Sequence, residues 1–195
     1  PGNVSIARRI EDEPLPVRLD AARQLPVALS GSLQNPAFSP DGSRLVLTRF
    51  HNGYNEGSAD LVIFTISNSN TTTLVADGNG NVNLPGSCWN SPRNEIIFSS
   101  TKEPHDEIYA VAADGGTPVQ VTDRTSAVAY EPSFSPDGSM IVFESHPLDV
   151  EGNGIIMTCP RTGGPPVALT ATDGDCRQPN WSPAGDLILY QTVVA

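Results

Sequence analysis

The chain has 195 residues and a net charge of −11, from 11 lysines and arginines against 22 aspartates and glutamates. Such a charge repels phosphate backbones, which excludes nucleic acid as a partner. The sequence has no run of about 18 apolar residues, so we expect no membrane span. With 17 glycines and 18 prolines the chain favours many short strands over long helices, so we expect an all-β protein.

The first 30 residues contain two candidate strands, at residues 4–10 and 26–29, separated by an acidic loop that proline interrupts. A longer unit starts near residue 35. Its first strand ends on Phe38, and the sequence Ser-Pro-Asp-Gly then turns the chain. Three further strands complete this unit, and we predict them at residues 44–48, 61–66 and 72–75. The unit is therefore expected to form a four-stranded sheet.

The turn of this unit recurs almost unchanged later in the chain. Residues 36–48 read PAFSPDGSRLVLT, and residues 132–144 read PSFSPDGSMIVFE. Proline pre-sets φ for the first central position of a type I turn, aspartate bonds back to the backbone, and glycine takes the positive φ that closes the hairpin. Leu45 and Leu47 should then point to one face of the sheet. The repeated string is interpreted as scaffold.

Three further units follow, starting near residues 87, 131 and 178. In the second unit the turn has become Asn-Ser-Pro-Arg-Asn-Glu, yet Ile96 lies seven residues after Trp89, as Leu45 does after Phe38. The fourth carries Ser-Pro-Ala-Gly and has only its first hairpin. The later strands of these units are predicted at residues 107–112, 118–121, 154–158, 167–169 and 187–191.

The four units carry an aromatic residue at the same place, with spacings of 51, 45 and 47 residues between Phe38, Trp89, Phe134 and Trp181. This period is typical of the four-stranded blades of a β-propeller. The aromatic-Ser-Pro-Asp-Gly turn, together with YAVAADGG at residues 109–116, resembles the TolB-like (WD40-like) propeller repeat family. The resemblance runs from about residue 25 to the C-terminus and implies a propeller of antiparallel blades.

Closure of the ring is predicted from the two ends of the chain. An open stack of blades would leave unpaired edges. The last unit lacks outer strands, and residues 1–30 supply candidate strands that could complete it. We therefore expect residues 1–195 to form one domain of four blades, closed by N-terminal strands pairing with the C-terminal hairpin. The alternative is that the chain is a piece of a longer protein, or a subunit that completes a larger ring by oligomerising.

The histidines fall at related places, because His51, His105 and His146 are each predicted to follow the second strand of a blade. We call the edge of the blades that carries these three residues the histidine rim. Neutral imidazoles bind transition metals, so a shared divalent metal site is one hypothesis. Polar loops without a metal explain the histidines too. The three histidines lie 13, 16 and 12 residues after the blade aromatic, so they do not occupy one equivalent position.

Acidic residues are the other candidates on this rim. Asp149, Glu151, Asp173 and Asp175 lie in predicted rim loops, and Glu131 precedes the inner strand of the third unit, where it could face the channel. A solvated acidic surface is one interpretation. A negative rim would also attract the basic segments of a partner.

The sequence leaves several functions open. The family resemblance implies a non-catalytic module that docks a protein or peptide on the rim or in the channel, and it suggests a periplasmic or extracellular location. No G-x-S-x-G nucleophile elbow is recognisable. The alternatives are a metal-dependent propeller enzyme similar to a polysaccharide lyase, a carbohydrate-binding module on the histidine rim, and the propeller of a larger peptidase.

Overall fold

The computed structural model describes residues 4–6, 23–76, 82–83, 88–102, 105–148, 152–171 and 174–193. Regular structure in these residues is entirely β-strand, and the strands are numbered β1 to β17 in chain order. Within the same ranges no helix is long and apolar enough to cross a membrane. The predicted all-β class is confirmed.

Each predicted unit forms an antiparallel sheet. Blade one has the order β3-β4-β5-β6, and its strands are β3 (Ser32–Phe38), β4 (Arg44–Phe50), β5 (Ala59–Thr65) and β6 (Asn70–Val75). Blade three has the order β12-β13-β14-β15, and its strands are β12 (Ala127–Phe134), β13 (Met140–Pro147), β14 (Ile155–Pro160) and β15 (Val167–Ala168). Each repeat unit of the sequence therefore corresponds to one blade.

On the inner side of blade two, two described stretches pair with the same neighbouring strand. The strands of blade two are β7 (Val82–Asn83), β8 (Trp89–Asn90), β9 (Glu95–Lys102), β10 (His105–Ala112) and β11 (Val119–Gln120). The last unit is described as a single hairpin of β16 (Asp175–Trp181) and β17 (Ile188–Val193). This is also the unit in which the sequence predicts only two strands.

The middle strands of each blade are buried on both faces. In β4, Leu45 and Leu47 pack with Phe64 in one apolar cluster, whereas Val46 between them belongs to the cluster shared with blade two. Successive side chains of a strand point to opposite faces of the sheet. A strand with apolar residues at successive positions therefore needs a packing partner against each face. The blades must therefore stack face to face.

The Ser-Pro-Asp-Gly turns are held by their own side chains. Ser39 Oγ donates to Asp41 Oδ1 at 2.6 Å, and the amide of Arg44 donates to Ser39 Oγ at 2.9 Å. Blade three repeats this arrangement with Ser135 and Asp137. These turns form the edge opposite the histidine rim, and we call this edge the turn rim.

The inner strands contain a bulge at a fixed place. Asn35, Glu131 and Gln178 have φ values of 49°, 47° and 53°, each residue lies in a register shift, and each precedes a proline. A positive φ is uncommon for residues other than glycine and costs free energy. Because the conformation recurs with three different side chains, it belongs to the blade architecture and is not specific to one of them.

Ring closure stays a prediction. In the described residues, the N-terminal strands β1 (Val4–Ile6) and β2 (Arg23–Leu25) pair with each other, and no pairing joins either of them to β17. The side chains of Leu187 and Leu189 in the last hairpin are 68% and 75% exposed. These apolar residues are what a closing strand or a neighbouring blade would cover.

We predict that Gly138→Ala destabilises the protein more than the equivalent Gly42→Ala. Both glycines have φ near +70°, so alanine costs about 1 kcal/mol of backbone strain at either position. A Cβ on Gly42 would meet nothing within 4 Å, whereas a Cβ on Gly138 would lie 2.0 Å from Nδ2 of the buried Asn90. Urea unfolding should show an extra loss of about 1–2 kcal/mol for Gly138→Ala. Equal losses would contradict the contact.

We predict that the two turn aspartates make the protein sensitive to acid. Hydrogen bonds from Ser39 and Ser43 lower the pKa of Asp41 from 3.8 to about 2, and the equivalent bonds do the same for Asp137. Because the folded pKa is depressed, the stabilisation is present above pH 3.8 and is lost as the pH falls towards 2. Urea midpoints measured from pH 5 to pH 2 should therefore fall less steeply in the double variant Asp41→Asn, Asp137→Asn than in the exposed control Asp123→Asn.

Candidate functional site

Each histidine of the histidine rim lies against a carboxylate of its own blade. His51 directly follows β4, its Nε2 is 2.8 Å from Asp60 Oδ2, and its Nδ1 is hydrogen-bonded to Ser58 Oγ at 3.0 Å. His51 is thus held by the beginning of β5 and the loop before it.

His105 follows β9, as predicted, and is the first residue of β10, so it opens the third strand of blade two. Its Nε2 lies 3.3 Å from Glu107 Oε1 and is hydrogen-bonded to the carbonyl oxygen of Arg124. Glu107 also accepts hydrogen bonds from the Thr122 hydroxyl and from the Arg124 amide. The histidine and glutamate therefore fix the loop that leads from blade two to blade three.

His146 lies inside β13, and it joins blade three to the last hairpin through Glu144. Its Nε2 bonds to Glu144 Oε1, and its Nδ1 faces the carbonyl oxygen of Gly152 at 3.2 Å. The other glutamate oxygen, Oε2, accepts the backbone amide of Gln178 at 2.7 Å. Because Glu144 is 6% exposed, these bonds form in a largely dry environment, where charge-assisted hydrogen bonds are strong.

The structure does not bring the three imidazoles into one ligand set. His51, His105 and His146 each bond within their own part of the rim, and the described ranges contain no group of three or more His, Cys, Asp or Glu side chains that could hold a metal ion. A shared metal site stays a prediction without geometric support in these ranges.

The partner carboxylates were not singled out by the sequence analysis, although two of them carry a signal. His105 and Glu107, like Glu144 and His146, are two residues apart on one strand, and this spacing puts both side chains on the same face. Asp60 lies on a different strand from its histidine, so only the antiparallel pairing of β4 and β5 brings the two together.

Glu131 lies inside the inner strand β12, not before it as the sequence predicts. It is half-buried at the bulge, and burial and then the neighbouring Glu144 raise the pKa of its carboxyl group, while a hydrogen bond with Gln178 acts in the opposite direction. The first strands of propeller blades line the central channel. Glu131 is therefore a strained acidic group on the innermost strand.

Of the four acidic residues predicted in rim loops, only Asp175 lies within the described residues. Asp175 begins β16, where Arg177 binds it through two nitrogens and the Gly154 amide donates to it at 3.1 Å. The hydrogen bond from Arg177 is the main reason that the pKa of Asp175 is lowered. Asp149, Glu151 and Asp173 lie outside the described residues.

The cysteines do not add reactive groups to the rim. Cys88, Cys159 and Cys176 are buried and unpaired. Burial raises the pKa of the Cys88 thiol to about 12 and that of Cys159 to about 11, so neither thiol ionises near neutral pH. Thiolates are the reactive and metal-binding form of cysteine, so these two residues serve packing.

The arginines at the turn rim join neighbouring blades. The guanidinium of Arg44 lies 5.0 Å from the centre of the Trp89 ring and binds Asp114 at 2.7 Å. Arg161 of blade three binds Glu95 of blade two through two nitrogens, at 2.9 and 2.7 Å. These two contacts are structural, because the charges of Arg44 and Arg161 are each matched by a carboxylate across the blade interface.

Comparison with known proteins relates the whole arrangement to one family. A family model for the TolB beta propeller domain matches residues 20–194. Tol-Pal system protein TolB of Bordetella pertussis is 31% identical over 140 residues, which cover 72% of this chain and 27% of that protein. The protein of the same name from Francisella tularensis subsp. mediasiatica is 28% identical over 161 residues, covering 82% of this chain and 35% of that protein. The chain thus spans about a third or less of these relatives.

Solved structures share the fold. TolB from Acinetobacter baumannii matches with a TM-score of 0.65 at 19% identity, over 94% of this chain and 45% of that one. A protein assigned as TolB from Agrobacterium tumefaciens matches with a TM-score of 0.70 at 19% identity, over 98% of this chain and 71% of that one. An oligogalacturonate lyase in complex with manganese matches with a TM-score of 0.60 at 14% identity, over 78% of this chain and 45% of that one. Likeness at these identities concerns the fold alone.

We predict that Glu144→Gln destabilises the protein by about 2 kcal/mol, the scale of hydrogen bonds to a charged group. The substitution keeps the size of the side chain but weakens its bonds to His146 and to the Gln178 amide. Urea unfolding at neutral pH measures the loss. The control is Glu56→Gln, because Glu56 is exposed. The unfolding free energy of this variant should stay within about 0.5 kcal/mol of that of the parent protein. A negligible loss for Glu144→Gln would rule out this link between blade three and the last hairpin.

Proposed function

Because the chain belongs to the TolB β-propeller domain family, we propose that it is a non-catalytic binding module that docks a protein or peptide partner on its histidine rim or in its central channel. Its curated relatives are named as proteins of the Tol-Pal system. We further propose a periplasmic location, which the family resemblance implies.

The observation that carries this proposal is Glu131. A half-buried carboxyl group beside Glu144 costs folding free energy, because burial and the second carboxyl group both oppose its charged form. Groups that lower stability in this way are typical of functional sites, where a ligand supplies the missing interaction. A cation in contact with Glu131 would relieve both its burial and its repulsion from Glu144.

The chemistry of the expected partner follows from charge. The chain carries a net charge of −11, and the described carboxylates of the histidine rim include Glu107, Glu144 and Asp175. Opposite charge accelerates and orients docking. We therefore propose that the partner presents a lysine- or arginine-containing segment. No contact among the described residues favours the metal-dependent enzyme, the carbohydrate-binding module or the peptidase propeller over this function.

We predict that Glu131→Gln weakens binding and at the same time stabilises the fold. The probe is a fluorescein-labelled 12-residue peptide of alternating lysine and serine with an amidated C-terminus, titrated by fluorescence anisotropy. Loss of the Glu131 charge should weaken binding about fivefold, equivalent to about 1 kcal/mol. Unfolding free energy at neutral pH should rise by at least about 0.5 kcal/mol, since burial and Glu144 both oppose the charged form of Glu131.

The controls separate a specific site from the general charge of the chain. Glu56→Gln removes one charge from an exposed position and should change neither binding nor stability. A peptide with glutamate in place of lysine should not bind. If Glu131→Gln and Glu56→Gln weaken binding equally, the attraction is a property of net charge and the proposed site is wrong. If Glu131→Gln destabilises the protein, Glu131 has a structural role instead.

A further inference from the structure

A second feature of the histidine rim has opposite chemistry to Glu131. A cavity of about 380 Å³ opens where blade three meets the loop after β11, and Arg124, Ser145 and His146 are among the residues that line it. Its volume falls in the range of small-molecule sites. The arginine distinguishes it from the acidic surroundings described above.

Two buried polar groups at this cavity have no partner. Arg124 Nε and Ser145 Oγ are both inaccessible to solvent, and neither forms a hydrogen bond within the described part of the chain. Ser145 itself is only 1% exposed. A buried donor without a partner costs about 1–3 kcal/mol, and more when it is charged. Because both groups belong to residues that line one cavity, a single acceptor placed there could satisfy both.

The position of Arg124 is fixed by blade two. Its amide donates to Glu107 and its carbonyl oxygen accepts from His105, so β10 holds the backbone on both sides. The arginines at the turn rim, Arg44 and Arg161, are each paired with a carboxylate. Arg124 forms no such ion pair within the described residues, although the chain has twice as many acidic as basic residues. An arginine whose backbone is held in place, and whose charge has no carboxylate partner in the described part of the chain, is suited to an anion from outside.

The surroundings select the kind of anion. A guanidinium presents parallel N–H groups that match the two oxygens of a carboxylate. A doubly charged phosphate would be disfavoured by Glu144, which bonds to the neighbouring His146, and by the net charge of −11. The rest of the lining includes apolar groups from Ala127, Pro147 and Ile155. The cavity therefore combines a polar end for one negative charge with a wall for a short aliphatic chain.

We propose that this cavity binds the carboxylate of a short aliphatic acid or of a peptide C-terminus. Arg124 pairs with the carboxylate, Ser145 Oγ donates to it, and the apolar wall covers the carbon atoms next to it. His146 contributes packing and not a donor, because both of its ring nitrogens are already bonded to Glu144 and Gly152. The site is separate from Glu131 and does not depend on the proposed function.

Calorimetric titration with three probes tests the site. The probes are butyrate, acetyl-alanyl-alanine with a free carboxylate, and the same dipeptide with an amidated C-terminus. Butyrate and the free-acid peptide should bind, and the amide should bind at least tenfold more weakly. Equal affinity for butyrate and the free-acid peptide would identify a free acid as the ligand, whereas tighter binding of the peptide acid would identify a peptide C-terminus.

Variants connect this binding to the cavity. Arg124→Gln should weaken the binding of both acids at least tenfold, and Ser145→Ala should weaken it about fivefold. Arg93→Gln is the matched control, because it removes the same charge from an exposed position on the turn rim and should leave affinity unchanged. Ser145→Ala removes one hydroxyl only, so it remains informative if Arg124→Gln fails to fold. Equal affinity of the free acid and the amide, or of Ser145→Ala and the parent protein, would overturn the proposal.

Discussion

Burial of the middle strands on both faces is the constraint on which the rest of this structure depends. The central parts of β4 and β5, residues 45–47 and 61–64, are apolar and buried, with Leu45 on one face and Val46 on the other. No single sheet can bury two apolar faces, so each blade needs neighbours. The blades stack for this reason. Because the strands of each blade are antiparallel, their connections lie at two opposite edges of the stack, which are the turn rim and the histidine rim.

The two edges combine local and long-range polar contacts. At the turn rim, Ser39 and Asp41 bond to each other and to their own backbone, whereas the guanidinium of Arg44 reaches Asp114 of the neighbouring blade. At the histidine rim, polar groups reach between elements, as Glu144 does when it bonds to His146 and to the amide of Gln178. Long-range polar contacts of this kind depend on exact blade placement and position side chains for recognition. Glu131 and Arg124 both lie on this side.

Several elements could be predicted from the sequence because their signals are local. The turn chemistry fixed the hairpins at residues 39–42 and 135–138, and alternation of apolar residues located the strands after them. The inner strand of blade two was harder, because its turn has lost the Asp-Gly pair that marks the equivalent hairpins. Glu131 was recognised as a candidate, yet its position inside a bulge was not, since a positive φ before proline has no simple sequence signal.

The sequence by itself determined the repeat unit, the all-β class and the family, because the period, the turns and the apolar alternation are each written in neighbouring residues. Only the tertiary structure decided which side chains meet. It brought His51, which follows β4, to Asp60 of β5, and it left the buried Arg124 Nε without a hydrogen bond among the described residues. Such contacts join residues that are distant in the chain or lie on different elements, and their geometry depends on how the blades stack, which no local pattern encodes.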